Sequence, residues 1–469
     1  MRNIKLRVSR GVLSLLASTI ITLVLNSPAF AAIRTTLWNF GPLNSDDGLY
    51  PAAALVRDAS GNLYGTTTEG GFSNGVGQPG VGAVFMLTPP ATKGGPWTES
   101  ILWRFKTVVG DGYYPDAGLV MDKSGNLYGT TSVGGAYGAS SAGGTVFELT
   151  PPATSGGDWT EKIIWSFGNG TDGELPEAGL IMDKAGDLYG TTAVGGVYYT
   201  ANASGGTPGG TAFKLAPPTR SGGNWTESVL WNFGNGTDGS DPLAGLVMGQ
   251  VGNLYGTTSG GGVYTITSGR LVYGLGTAFK LSPPATKGGA WSEFVLWNFG
   301  NGTDGTGPGT ALTVDKSGNL YGTTDSGGLY DDLVPGDPGG TAFELTPPAT
   351  GGDNWTESIF WNFGGGDDGQ FPSDLIFDAR GNLYGTSGGG GANGGGTAFE
   401  FTPPALSGED WNESILVNFG ANGSGKVPAA GLIMDPAHNL YGTTEYGGTH
   451  GGWGTVFRIS NLGNQTPTP

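Results

Sequence analysis

Short apolar runs of five to nine residues recur along the whole chain, each closed by Gly, Pro, Asn or Asp. Runs of that length, rich in aromatic and aliphatic residues and bounded by turn formers, predict strands rather than helices. Four kinds of run follow one another in fixed order. A run such as A-G-L-I-M-D follows a proline (strand A), and N-L-Y-G-T-T follows a D-x-x-G hairpin signal (strand B). G-T-V-F-E-L-T comes third (strand C) and W-T-E-S-I-L-W-N-F fourth (strand D).

Each run occurs seven times. Strand B begins at Asn62, Asn126, Asp187, Asn253, Asn319, Asn382 and Asn439, and the strand C motif ends at Phe85, Phe147, Phe213, Phe279, Phe343, Phe399 and Phe457. The W-x-F motif or its variant ends at Phe40, Phe105, Phe167, Phe233, Phe299, Phe363 and Phe419. A period of roughly 63 residues carrying four strands predicts an all-β, seven-bladed β-propeller of four-stranded antiparallel blades. The chain opens on a lone D strand, Arg34 to Phe40, and its last unit has A, B and C but no D. The expected closure pairs that N-terminal strand with the last C-terminal hairpin, because an open array would leave both fragments as exposed edges.

Spacing separates scaffold from variable parts. From the strand C Phe to the first Trp of strand D is 12 residues in all six complete copies. The B–C connection runs 14, 12, 17, 17, 15, 8 and 9 residues. A one-residue slip inverts a strand's faces, so constant spacing marks packed structure, and variable loops on a rigid scaffold are where recognition resides. Because strands alternate in direction, B–C and D–A loops share one face.

Composition sharpens this. Among 469 residues, 93 are Gly and none is Cys, and the histidines are His438 and His450 alone. Thiolate chemistry is excluded and imidazole chemistry is scarce. The first residues differ from the rest: Arg2, Lys5, Arg7 and Arg10 precede an apolar stretch, Val12 to Leu25, and a small-residue cleavage region. Residues 1–32 are expected to be a signal peptide, too short in its apolar core for a span. Residues 33–462 form the propeller and 463–469 a short disordered tail. Removing the leader takes away four basic residues and no acidic one, moving the formal charge from −18 to −22. That charge argues against nucleic acid and anionic lipid as partners.

The negative charge falls on one face. Sixteen acidic residues in the B–C and D–A loops stand against Lys106, Arg270 and Lys426. The same loops hold Tyr137, Tyr198, Tyr199, Tyr264, Tyr330, Tyr446 and Trp453, the candidate ligand-binding residues, together with Phe72 and Tyr273. A repeated D-G-x-x-P brings Asp111, Asp172, Asp238, Asp304 and Asp368, with Asp47, to the D–A loops. These admit two readings: a carboxylate ring able to hold Ca²⁺, or an Asx-turn before a Gly that needs positive φ. The A–B aspartates (Asp58, Asp122, Asp183, Asp315, Asp378, Asp435) read as hairpin-turn residues. The repeated tryptophans read as packing between blades, while Trp453 has no counterpart and is a candidate stacking platform.

The motifs N-L-Y-G-T-T, G-T-V-F-E-L-T-P-P and W-T-E-S-I-L-W-N-F resemble the GloVer (Gloeobacter/Verrucomicrobium-type) tandem repeats of bacterial exported proteins, over Arg34 to Leu462. The resemblance implies export and repetition and brings no catalytic residue. The chain ends in N-Q-T-P-T-P, without the hydrophobic tail of anchored members. The expectation is a monomeric, extracellular or periplasmic protein that binds a glycan or a surface protein on its acidic loop face, without catalysis and without a cofactor other than Ca²⁺. The alternatives are a carbohydrate- or lactone-active enzyme using channel-mouth carboxylates, and a purely structural surface repeat. Clustered acids with raised pKa values favour the enzyme; acids beside exposed rings favour binding.

Overall fold

The computed structural model describes residues 31–462 except 42–46, 72–79, 139–141, 155, 201–207, 221, 269–270, 331–338, 350–353, 407–408 and 422. Residues 1–30 of the expected leader, the expected tail 463–469, Asp46, Phe72, Arg270, Asp331, Asp332 and Asp337 lie outside the described residues.

Seven antiparallel blades form, each built from four strands in the order A-B-C-D. The first comprises Val56–Arg57, Leu63–Thr67, Ala83–Thr88 and Thr98–Arg104. The last comprises Ile433–Met434, Leu440–Thr444 and Thr455–Ser460, and its fourth strand is the N-terminal Ile33–Asn39. That pairing runs from Ile33 opposite Ser460 to Asn39 opposite Thr455. The shared closing blade is therefore present, and it removes both free edges at once.

Strand C is buried on both faces, as its A-V-F-x-L pattern requires. Its Phe lies over the Gly of strand B: a Cβ on Gly65 would stand 2.6 Å from the Phe85 ring. The glycine in N-L-Y-G thus provides space for the aromatic core. Strand D carries a bulge in every blade; in the first, the register shifts between Val84 and Phe85. The extra residue, Leu102, is tucked inward and buried.

Three contacts repeat from seam to seam. The W-x-F Phe of one blade packs edge-on or tilted against the strand C Phe of the next, from Phe40–Phe85 at 5.1 Å to Phe419–Phe457 at 4.9 Å. Such pairs contribute about 0.5–1.5 kcal/mol each beyond the area they bury. The strand B Tyr meets the Trp that opens strand D of the next blade, as in Tyr128–Trp225 at 5.9 Å. The tryptophans therefore hold blades together, as their spacing suggested. Third, the first Thr of N-L-Y-G-T-T donates to a backbone carbonyl of the next blade, Thr66 to Ala117 at 2.9 Å and Thr386 to Ala430 at 3.0 Å.

This third contact explains one difference from expectation. Strand A is only two residues long, Ile433–Met434 in the last blade, where the apolar run predicted about seven. The residues before it turn their carbonyls to the neighbouring blade's threonine, so they cannot extend the ladder. They line instead a central channel of about 330 Å³.

The loop faces are as the alternation of strands predicts. D–A and B–C loops of one blade pair directly, Gly48–Leu49 with Glu69–Gly70 and Gly112–Tyr113 with Val133–Gly134. One B–C loop holds an unexpected hairpin, Thr265–Ser268 with Leu271–Gly274. The A–B turns are fixed as expected: Asp58 accepts from Asn62 N at 2.8 Å, Asn62 Nδ2 at 2.7 Å and Tyr64 Oη at 3.1 Å.

Candidate ligand-binding site at the channel mouth

The residue before each strand A proline is held in the left-handed region: Tyr50, Tyr114, Leu175, Asp241, Phe371 and Val427 have φ between 55° and 61°. This costs a non-glycine residue about 1–3 kcal/mol. Backbone pins hold it there. Tyr114 N donates to Val81 O of the preceding blade at 2.9 Å, and Tyr114 O accepts from Ser132 N at 3.0 Å. The result is a ring of projecting, blade-specific side chains around the mouth of the channel, on the face of the B–C and D–A loops.

At the closing seam this ring meets two of the predicted residues. Tyr50 packs edge-on against Tyr446 at 5.3 Å and against Trp453 at 5.5 Å, and Tyr50 N donates to Trp453 O at 3.0 Å. Trp453 also rests against the core of the first and last blades, while Tyr446 is 42% exposed. Glu69 and Glu445 flank these rings. The hydrogen bond to Glu445 pushes the Tyr446 phenol up to about 12. Burial, then the charges of Glu69 and Glu445, raises Tyr50.

Next to this cluster the mouth is acidic. Burial raises Asp116, which hydrogen-bonds Ser132 and Thr68 and feels Glu445. Burial also raises Glu177, with Asp116 and Asp241 adding to it, and pushes Asp325 up to about 6. Asp374 stands deeper in the lumen, where other blades have Gly or Ala; its Oδ1 accepts from Ala311 N at 2.8 Å.

Other predicted residues sit elsewhere on the same face. Tyr137, Tyr198, Tyr199 and Tyr264 are exposed on the outer loops. Tyr330 is half-buried, with its ring across Gly365. They do not join the Tyr50 cluster's ring contacts, and Tyr137 lines an outer groove with Trp165 and Trp225. Tyr50 and Tyr114 were not among the expected residues because they sit in the D–A segments, where the repeated aspartate was the prominent signal. Their own signal was available: a large residue before a proline that every blade shares.

The D–A aspartates do not converge on the channel. Each lies at its own seam and accepts local donors, Asp111 from Lys106 N and Gly112 N, Asp304 and Asp368 from the indoles of Trp297 and Trp361. Among the described residues no three His, Cys, Asp or Glu side chains come together in a metal-holding group. The following glycine has the expected positive φ at Gly173 and Gly239, 92° and 89°, but not in every blade, and it meets a second need as well. Gly112 has no positive φ; a Cβ there would stand 2.0 Å from Thr131 Oγ1. The glycine is needed for close approach to the second Thr of strand B.

A family model described as the Gloeobacter/Verrucomicrobia repeat matches residues 29–201 and 259–468. No curated protein matches the chain. Among solved structures, it is similar to an oxidoreductase described as a glucose dehydrogenase, from Thermus thermophilus. That match has 12% identity and a TM-score of 0.40, covering 92% of this chain and 100% of that one. A protein described as a gluconolactonase is similar at 13% identity and a TM-score of 0.37, covering 92% of each chain. Among the described residues no helix is long and apolar enough to cross a membrane.

Proposed function

From a chain that belongs to the Gloeobacter/Verrucomicrobia repeat family, we propose an exported, non-catalytic binding protein that holds a neutral or amino-bearing glycan at the channel mouth. One observation carries this reading: the Tyr50–Tyr446–Trp453 cluster stands beside Glu69, Glu445 and Asp116 where three blades meet. Tyrosine and tryptophan offer rigid, amphipathic faces for the apolar side of a sugar ring at low entropic cost. Carboxylates only accept hydrogen bonds, so the ligand must bring donors, either hydroxyl or ammonium groups. A ligand rich in uronate or sulfate meets like charge and is repelled.

The exposed Tyr137, Tyr198, Tyr199 and Tyr264 suit an extended chain that continues past the mouth. Ca²⁺ binding is a subsidiary proposal for the same acidic face. Binding to a glycan array spanning neutral, amino-bearing, uronate and sulfated sugars, with and without EDTA, tests the reading. Retention of neutral or amino-bearing sugars supports it; retention of polyanions alone contradicts it, and no retention favours a purely structural repeat.

A second reading rests on the acids themselves. Burial pushes Asp325 up to about 6 and raises Asp116, Glu177 and Asp241, the direction a general acid needs. Cleavage of a retained glycan on incubation supports that reading; quantitative recovery supports binding alone.

A further inference from the structure

Strand D contributes a glutamate two residues after its opening Trp in each complete blade. This residue faces the D–A aspartate delivered by the preceding blade, giving six acid pairs: Asp47–Glu99, Asp304–Glu357 and Asp368–Glu413 lie within hydrogen-bonding reach, and Asp111–Glu161, Asp172–Glu227 and Asp238–Glu293 feel each other's charge. In all six, Glu Oε1 is buried without a hydrogen-bond partner; so are Asp172 Oδ2 and Asp304 Oδ1. Asp172 and Asp304 are only 8% and 5% exposed. Two ionised carboxylates have no donor to offer each other, and their buried contact persists only if something positive lies between them.

The seventh seam shows what that something does. At this seam the Asp is Ser424, the Glu is Arg34 and the W-x-F Trp is Val417. Ser424 Oγ accepts from Gly420 N at 2.8 Å, the bond that Asp172 makes with Gly168 N at 3.2 Å. Arg34 Nη1 donates to Ser424 O at 3.0 Å. The acid pair is lost as a unit, and a donor takes the place of the second acid.

We propose that each of the six Asp–Glu seams is a proton-binding site, with one proton shared between carboxyl and carboxylate, and that these protons lock neighbouring blades together. Burial first and the paired aspartate second raise every one of these glutamates, to about 7 for Glu227 and about 8 for Glu161 and Glu293. The aspartates rise by burial but are held back by donors: the Trp231, Trp297 and Trp361 indoles and backbone N–H groups of the D–A loop. The proton accordingly resides on Glu. The charged neighbours facing the pairs are His450 and Arg104 at the first and Lys106 at the second.

The sign follows from linkage. A carboxyl raised in the folded state keeps its proton after the unfolded chain, with its ordinary value of 4.5, has lost it. Stabilisation is complete below that value, falls as pH rises through about 7 to 9, and levels off above the last of these glutamates.

Thermal unfolding of the purified protein from pH 5 to 9, in EDTA and in CaCl₂, tests this beside the double variant Glu357→Gln/Glu413→Gln. An amide donates to Asp without titrating. The wild-type Tm should fall across this range, and the variant should lose less, by up to about a third, two of six seams having been fixed. If the variant does not fold, infrared spectroscopy of the wild type decides: the carboxylic C=O stretch should be present at pH 6 and weaken toward pH 9. A flat Tm profile, parallel profiles for the two proteins, or no protonated carboxyl band at pH 6 overturns the proposal. So does a wild-type Tm at pH 8 that rises with CaCl₂ and returns with EDTA, which puts a cation in the proton's place.

Discussion

Thr443 Oγ1 donates to the carbonyl oxygen of Ala53 at 3.1 Å, joining residues 390 positions apart. The same bond links every neighbouring pair of blades, but here it closes the ring. Thr443→Val keeps the shape and removes the donor, leaving a buried acceptor unpaired. The expected cost is about 1–3 kcal/mol in urea unfolding, with the blades themselves intact by circular dichroism.

The glycine of D-G-x-x-P provides a second test. Gly112→Ala places a methyl group against Thr131 Oγ1, without a change in backbone preference, since its φ is not positive. Overpacking of this kind costs about 1–3 kcal/mol. The double variant Gly112→Ala/Thr131→Ala should recover part of that loss, read as a coupling energy in a double-mutant cycle. Strict additivity would show that the glycine serves some other need.

Scaffold and variable loop should separate in stability as they do in spacing. Replacing the projecting hairpin, residues 265–274, by a short Gly-Ser link should change unfolding free energy by about 0.5 kcal/mol or less. Trp225→Ala, which removes the buried ring that meets Tyr128 across a seam at 5.9 Å, should cost about 3–5 kcal/mol. Calorimetry on both variants reads the difference.

Blade number, strand order, the closing strand and the loop faces were legible because each is a property of one repeat read along the chain. Gly65, Phe85 and Trp225 recur at fixed offsets, and their roles follow from those offsets. What escaped were relations between repeats. Glu99 looked like an ordinary polar strand residue, because nothing within its own unit shows that Asp47 waits across the seam. The informative signal was a joint departure: Val417, Ser424 and Arg34 change together at the one seam without an acid pair. Tyr50 escaped for a related reason. Its prominence comes from a positive φ and from ring contacts to a loop nearly 400 residues later.

The central claim, that the aromatic and acidic mouth is the recognition site, is tested most directly by titration calorimetry with an oligosaccharide retained on the array. Tyr50→Ala and Tyr446→Ala should each raise Kd about tenfold or more, the loss of roughly 1.4 kcal/mol. Tyr199→Ala, on the outer loops, should change it far less. Unchanged affinity in both mouth variants, with loss in Tyr199→Ala, would contradict the account and move recognition to the rim.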